Sequence, residues 1–155
     1  MISYCIASFR PKYSALLIQD LINKTTAPFE ILVWLNTDDA AYEQFLEKQR
    51  AAGAPLTIVG KTPENIGMRA YQLLFQQAQY DLIAQIDDDV VAVSRKIAEQ
   101  ANEVFSRFPC VKQLVADVWQ DDYTTGARPP MSSYRAFAPE YGLYDGPIDG
   151  WFSVF

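Results

Sequence analysis

Apolar residues along this chain follow two periods that alternate. Residues 2–8 form an almost unbroken apolar run of strand length, closed by Phe9-Arg10-Pro11, and predict a buried β-strand. Residues 12–23 place Leu16, Leu17, Leu21 and neighbouring isoleucines at helical spacing. A second strand is expected over 30–35, leaving through Asn36-Thr37-Asp38-Asp39. Tyr42, Phe45, Leu46 and Gln49 then mark one face of a helix ending near Gly53, and 55–59 is a short third strand. Past Gly60-Lys61-Thr62-Pro63, the segment Glu64-Asn65-Ile66-Gly67 opens a helix with Ala70, Leu73, Leu74 and Ala78 on one face. Residues 81–86 read as a fourth strand. Ser94 is the expected cap of a helix to about Phe108, with Ile97, Ala101, Val104, Phe105 and Phe108 inward. A further strand is expected over 111–119.

Strand and helix alternating four times imply an α/β fold with a mostly parallel sheet flanked by helices on both faces. Ligands of such sheets bind beyond the carboxyl ends of the strands. Three polar clusters fall there: Ser8-Phe9-Arg10, Asn36-Thr37-Asp38-Asp39 and Asp87-Asp88-Asp89. From Gln120 the texture changes to a loop-rich part carrying Asp121-Asp122, Gly126, Pro129-Pro130, Pro139, Gly142 and the aromatics Tyr123, Tyr134, Phe137, Tyr141 and Tyr144. Long loops in a compact domain tend to be binding lids.

The chain has 155 residues, half of them hydrophobic and 14% aromatic. That is enough for one domain, 1–155, with a real core. A net charge of −6 and a pI near 4.6 argue against a nucleic-acid-binding surface, which needs clustered Lys and Arg. An anionic ligand stays open, because a bound metal reverses the field locally. There is no histidine. This removes Ser-His-Asp and Cys-His hydrolysis and His-ligated zinc, and leaves carboxylate, Tyr or Lys as a base. Cys5 and Cys110 lie in apolar runs and are expected in the core. The N-terminus lacks a basic region before its apolar stretch, and no apolar run approaches the roughly 20 residues of a membrane span. A cytoplasmic chain is expected.

Asp87-Asp88-Asp89 carries the most chemistry. Three adjacent carboxylates repel one another, and they make sense at a strand exit if a positive group sits there, most simply a divalent metal carrying a phosphate. A solvated acidic turn or a helix N-cap is the alternative.

With Asn65-x-Gly67 opening a helix, 21 residues between Asn65 and Asp87, and the Asp cluster at the next strand exit, residues 2–91 resemble GT-A glycosyltransferases, especially glycosyltransferase family 2. The resemblance implies a GT-A (nucleotide-diphospho-sugar transferase) fold. It also implies transfer of a sugar from a UDP- or GDP-sugar to a saccharide or other hydroxyl acceptor, with Mn²⁺ or Mg²⁺. In that reading Asp89 ligates the metal. Asp87 faces the ribose or nearby groups and can share the metal. Asp88 belongs to the same donor-binding motif, although period-2 alternation points it to the opposite side. Ala7, Ser8 and Phe9 stand where the family often shows Pro-Thr-Tyr, which implies backbone contacts to the base. The family commonly closes strand two with Asp; here it is Leu35, so Asn36 or Asp38 takes that role. Arg69 is the candidate phosphate contact. The segment 144–152 resembles the glycine-and-acid segment near the family's acceptor site, making Asp149 the candidate base and Asp145 the second choice. Family members usually continue beyond this point, so a minimal or truncated catalytic domain is implied.

Other readings keep the same sheet. A degenerate or truncated relative would bind a nucleotide sugar, or act as an interaction module, without catalysis. A nucleotidyltransferase would normally carry a glycine- and basic-rich loop after strand one, and Phe9-Arg10-Pro11-Lys12 has no glycine. A response-regulator-like domain would put an acidic pair there, where this chain has Ser8-Phe9.

Overall fold

A computed structural model describes residues 1–117, 119, 129–148 and 150–155. The alternation predicted from the sequence is present: β1 (Ile2–Ser8), α1 (Pro11–Lys24), β2 (Phe29–Leu35), α2 (Ala40–Ala51), β3 (Leu56–Lys61), α3 (Met68–Phe75), β4 (Leu82–Ile86) and α4 (Ile97–Arg107). After these come β5 (Leu114–Val115), a hairpin of β6 (Arg135–Ala138) and β7 (Leu143–Asp145), and β8 (Phe152–Val154).

The main sheet has the order β3-β2-β1-β4-β8-β5, and the hairpin forms a separate two-stranded sheet. β1 runs parallel to both β2 and β4, and β2 is parallel to β3. The strand order thus reverses between β1 and β4, and that is where an open α/β sheet forms its ligand crevice. Alternation along β1 divides the core. Ile2, Tyr4 and Ile6 join the large cluster under α1, α2 and α4, while Cys5 packs with Leu32, Tyr71 and Leu74 beneath α3.

Four expectations need correction. Ser94 does not cap α4: the helix starts at Ile97, preceded by Lys96 in the left-handed region (φ 61°). The strand expected over 111–119 is reduced, among the described residues, to Leu114–Val115. Cys5 is buried, but Cys110 is exposed; an apolar run at the end of a helix does not guarantee a place inside. The part read as loops contains the β6–β7 hairpin and also β8, which inserts antiparallel between β4 and β5. Three- and four-residue strands carry too little alternation to stand out from turns. Asp121, Asp122, Tyr123, Gly126 and Asp149 lie outside the described residues. Among the described residues no helix is long and apolar enough to cross a membrane.

Candidate functional site

The exits of β1 and β4 meet at the strand-order reversal, and one residue joins them. Asp88 continues the inward-facing series Ala84 and Ile86, and only 4% of it is exposed. Its Oδ2 accepts the backbone N–H groups of Phe9 (2.6 Å) and Arg10 (2.5 Å). Its Oδ1 receives Nε (2.9 Å) and Nη2 (2.7 Å) of Arg10. Burying a carboxylate is costly unless several donors meet it. Asp88 was expected among the donor contacts; with both oxygens engaged by the chain, it ties the β1–α1 turn to β4. Around it lies a buried polar layer in which Ser14 and Tyr42 hydroxyls are hydrogen-bonded at 2.6 Å. Burial raises the Tyr42 hydroxyl pKa, the hydrogen bond with Ser14 opposes this, and the nearby charge of Asp88 reinforces it.

The flanking aspartates differ. Asp89 is 45% exposed, and its Oδ2 takes Nη1 of Arg10 at 2.5 Å. Asp87 is half-buried, and its backbone N–H donates to the carbonyl of Trp151 at 2.8 Å. Its carboxyl is raised above the ordinary range, first by burial and then by the charges of Asp89 and Asp88, with Arg10 opposing. Beneath them Tyr71 donates its hydroxyl to the Ile86 carbonyl (2.8 Å), which fixes the end of β4.

The other predicted contacts divide between rim and frame. Ser8 is buried and Ala7 half-buried, while Phe9 turns an exposed ring outward; its N–H is already taken by Asp88, so the ring is what it can offer a ligand. Asn36 is buried, and its Oδ1 accepts Thr62 Oγ1 (3.3 Å) and the Ile66 N–H (3.2 Å), anchoring the segment before α3. Asp38 is exposed and pairs with Lys61 at 3.4 Å. Asn65 Oδ1 accepts the Gly67 N–H at 2.9 Å. Gly67 has φ 54°, where a side chain would be strained. Arg69 stands exposed in the first turn of α3. Asp145 is brought instead to the hairpin, opposite Arg135 in register and bonded to it at 2.7 Å, with both side chains largely exposed.

Sequence reasoning missed two participants. Arg10 had a visible signal, a single basic residue at a strand exit. Trp151 did not: its indole N–H reaches the Ala116 carbonyl (2.7 Å) while its own carbonyl receives Asp87. Trp151 also lines a cleft of about 490 Å³ between β5 and the hairpin, together with Tyr134, Tyr144, Met131, Ile148 and Asp117.

Carboxylate oxygens suit a hard divalent cation, and Asp87 and Asp89 are the two whose oxygens are not consumed by the backbone. Among the described residues no group of three or more His, Cys, Asp or Glu converges on one point. Two carboxylates still fit Mg²⁺ or Mn²⁺, which take their remaining ligands from water and phosphate.

No family model matches the chain, and no curated protein matches it. Solved structures do. TarS from S. aureus (residues 1–349) in complex with UDP-GlcNAc superposes with a TM-score of 0.74 at 18% identity, covering 98% of this chain and 44% of that one. Its complex with UDP gives 0.74 at 19% identity, with coverages of 98% and 46%. The mannosyltransferase PcManGT from Pyrobaculum calidifontis, in complex with GDP-Man and Mn²⁺, gives 0.69 at 15% identity, with coverages of 99% and 44%. The chain spans less than half the length of these structures. At such identities the likeness is one of architecture, and it agrees with the strand order, the crevice and the acidic β4 exit: the chain has the GT-A glycosyltransferase fold.

Proposed function

We propose that this chain binds a nucleotide-diphosphate sugar at the β1–β4 crevice and transfers the sugar to a hydroxyl acceptor with the help of Mn²⁺ or Mg²⁺. The observation that carries the reading is the Asp87-Asp88-Asp89 cluster at the strand-order reversal of a GT-A sheet, with Asp88 locked inward and Asp87 and Asp89 left at the rim. A diphosphate leaving group accumulates negative charge, and a metal held by Asp87 and Asp89 supplies the opposing charge when bound. Phe9 offers its ring to the nucleoside, Asn36 and Asp38 border the base side, and the exposed guanidinium of Arg69 is available to a phosphate. The acceptor enters from the Trp151 side, where the aromatic cleft is lined by the residue whose carbonyl receives the Asp87 N–H. Asp149, two residues before Trp151, serves as the base that takes the acceptor proton, with Asp145 as the second choice.

The test is ligand-induced stabilisation. UDP, GDP and their sugars are added with and without Mn²⁺ while unfolding temperature is followed. At least one nucleotide should stabilise the chain, and more so with metal. No stabilisation by any of them would overturn the reading. Asp89→Ala should abolish the metal-dependent increment and donor-dependent sugar transfer, and unchanged turnover in that variant would remove the metal assignment. A second reading, donor binding without transfer, is favoured by the pairing of Asp145 with Arg135 in the hairpin. It predicts nucleotide stabilisation with neither transfer nor donor hydrolysis.

A further inference from the structure

Arg10 holds two carboxylates with one guanidinium, and the two contacts are unequal. The inner contact, from Nε and Nη2 to Asp88 Oδ1, is made to a carboxylate that is 4% exposed and also fastened by two backbone N–H groups. The outer contact, Nη1 to Asp89 Oδ2 at 2.5 Å, joins side chains that are 46% and 45% exposed. Exposed pairs of this kind hold weakly, whereas a buried partner with several donors does not let go easily. The guanidinium is thus hinged at Asp88 and can exchange its partner at Asp89. A planar fork anchored by one edge presents its remaining N–H groups in a fixed direction, suited to phosphate oxygens.

We propose that Arg10 is the diphosphate arm of the donor site: without donor it neutralises Asp89, and when the metal-bound nucleoside diphosphate arrives it yields Asp89 to the metal and donates its outer N–H groups to the diphosphate while Asp88 keeps it in place. The inference rests on the donor-site reading above. It differs from the assignment of Arg69 because Arg10 already occupies the acidic cluster. Arg10 is a positioning and binding residue in this scheme, and no bond is made or broken on it.

The experiment measures binding, not turnover. Mn²⁺ alone, UDP and GDP with Mn²⁺, and the nucleosides uridine and guanosine are titrated into the wild-type chain, Arg10→Ala and Arg10→Lys by calorimetry. Circular dichroism and unfolding temperature confirm that the variants are folded. In Arg10→Ala, Mn²⁺ alone should bind several-fold more tightly, because its competitor at Asp89 is gone. The nucleoside diphosphate should bind about tenfold more weakly or worse, and the nucleoside should be unaffected. Arg10→Lys keeps the charge but cannot bridge, so it should recover only part of the diphosphate affinity. It also serves if the alanine variant does not fold. Equal losses for diphosphate and nucleoside would make Arg10 a purely structural residue and overturn the proposal. An unchanged Mn²⁺ affinity would overturn the exchange at Asp89. If the wild-type chain binds no nucleoside diphosphate, the donor-site reading itself fails. If it binds and Arg10→Ala binds equally well, only the present proposal fails.

Discussion

The two halves of this molecule are built by different rules. Residues 1–108 form parallel strands of five to seven residues, with β1 paired on both sides over most of its length and helices covering both faces. Beyond them, among the described residues, the strands have two to four residues, and β8 pairs through three residues with β4 and two with β5. The first half secures Asp88 through its own β1–α1 turn. The second half depends on docking: Phe152 is buried beside Ile86, the Phe155 amide and carbonyl pair with Ile83, and Trp151 reaches across to Asp87. The β1–β4 rim is therefore preorganised, whereas the cleft beside Trp151 depends on the docking of β8.

Phe152→Ala tests the docking of the second half most directly. It removes a fully buried ring that also meets Tyr4 edge-on, and the expected loss is about 3–5 kcal/mol by chemical denaturation. A loss below about 1 kcal/mol would make the second half an appendage and not part of the core. Next comes Asp88→Ala. It strands two backbone N–H groups and one edge of Arg10, with an expected destabilisation of about 3 kcal/mol. Hydrogen exchange should show residues 9–12 opening while β2 and β3 stay protected; uniform loss of protection would contradict a local clasp.

The smallest effect concerns the tie between α4 and the α1–β2 turn. The Glu99 carboxylate accepts the Thr26 hydroxyl and the N–H groups of Thr26 and Ala27. Its pKa is lowered from 4.5, chiefly by the Thr26 hydroxyl and further by backbone N–H groups, against the opposing effect of burial. A folded-state value below the unfolded one gives stability that is present above pH 4.5 and lost as pH falls through the folded value. Glu99→Gln should therefore flatten the acid side of the stability curve while changing neutral-pH stability only modestly. An identical acid slope would remove Glu99 as the cause.

Much of the first half was legible because each strand is a buried apolar run and each helix repeats its apolar positions near 3.6 residues. α1 came out within one residue of expectation at both ends. Ser94 misled because a favourable capping residue does not determine where a helix starts once Lys96 adopts a left-handed turn. β8 was invisible because Phe152-Ser153-Val154 is too short to show alternation, and its strand character comes from the ladder it joins.

For the site the division is similar. The residues alone show that three carboxylates leave a strand at the rim, that no histidine shares their work, and that period-2 alternation turns Asp88 away from its neighbours. Local covalent geometry is enough for all of that. What each carboxylate meets follows from the folded arrangement. Asp88 is buried beneath Phe9 and Arg10, Asp89 faces solvent with Arg10 upon it, and Asp87 is backed by Trp151 from the far end of the chain. Those partners lie 64 to 79 residues away in sequence. Charge and burial act through space, so a pattern of neighbours along the chain cannot express them.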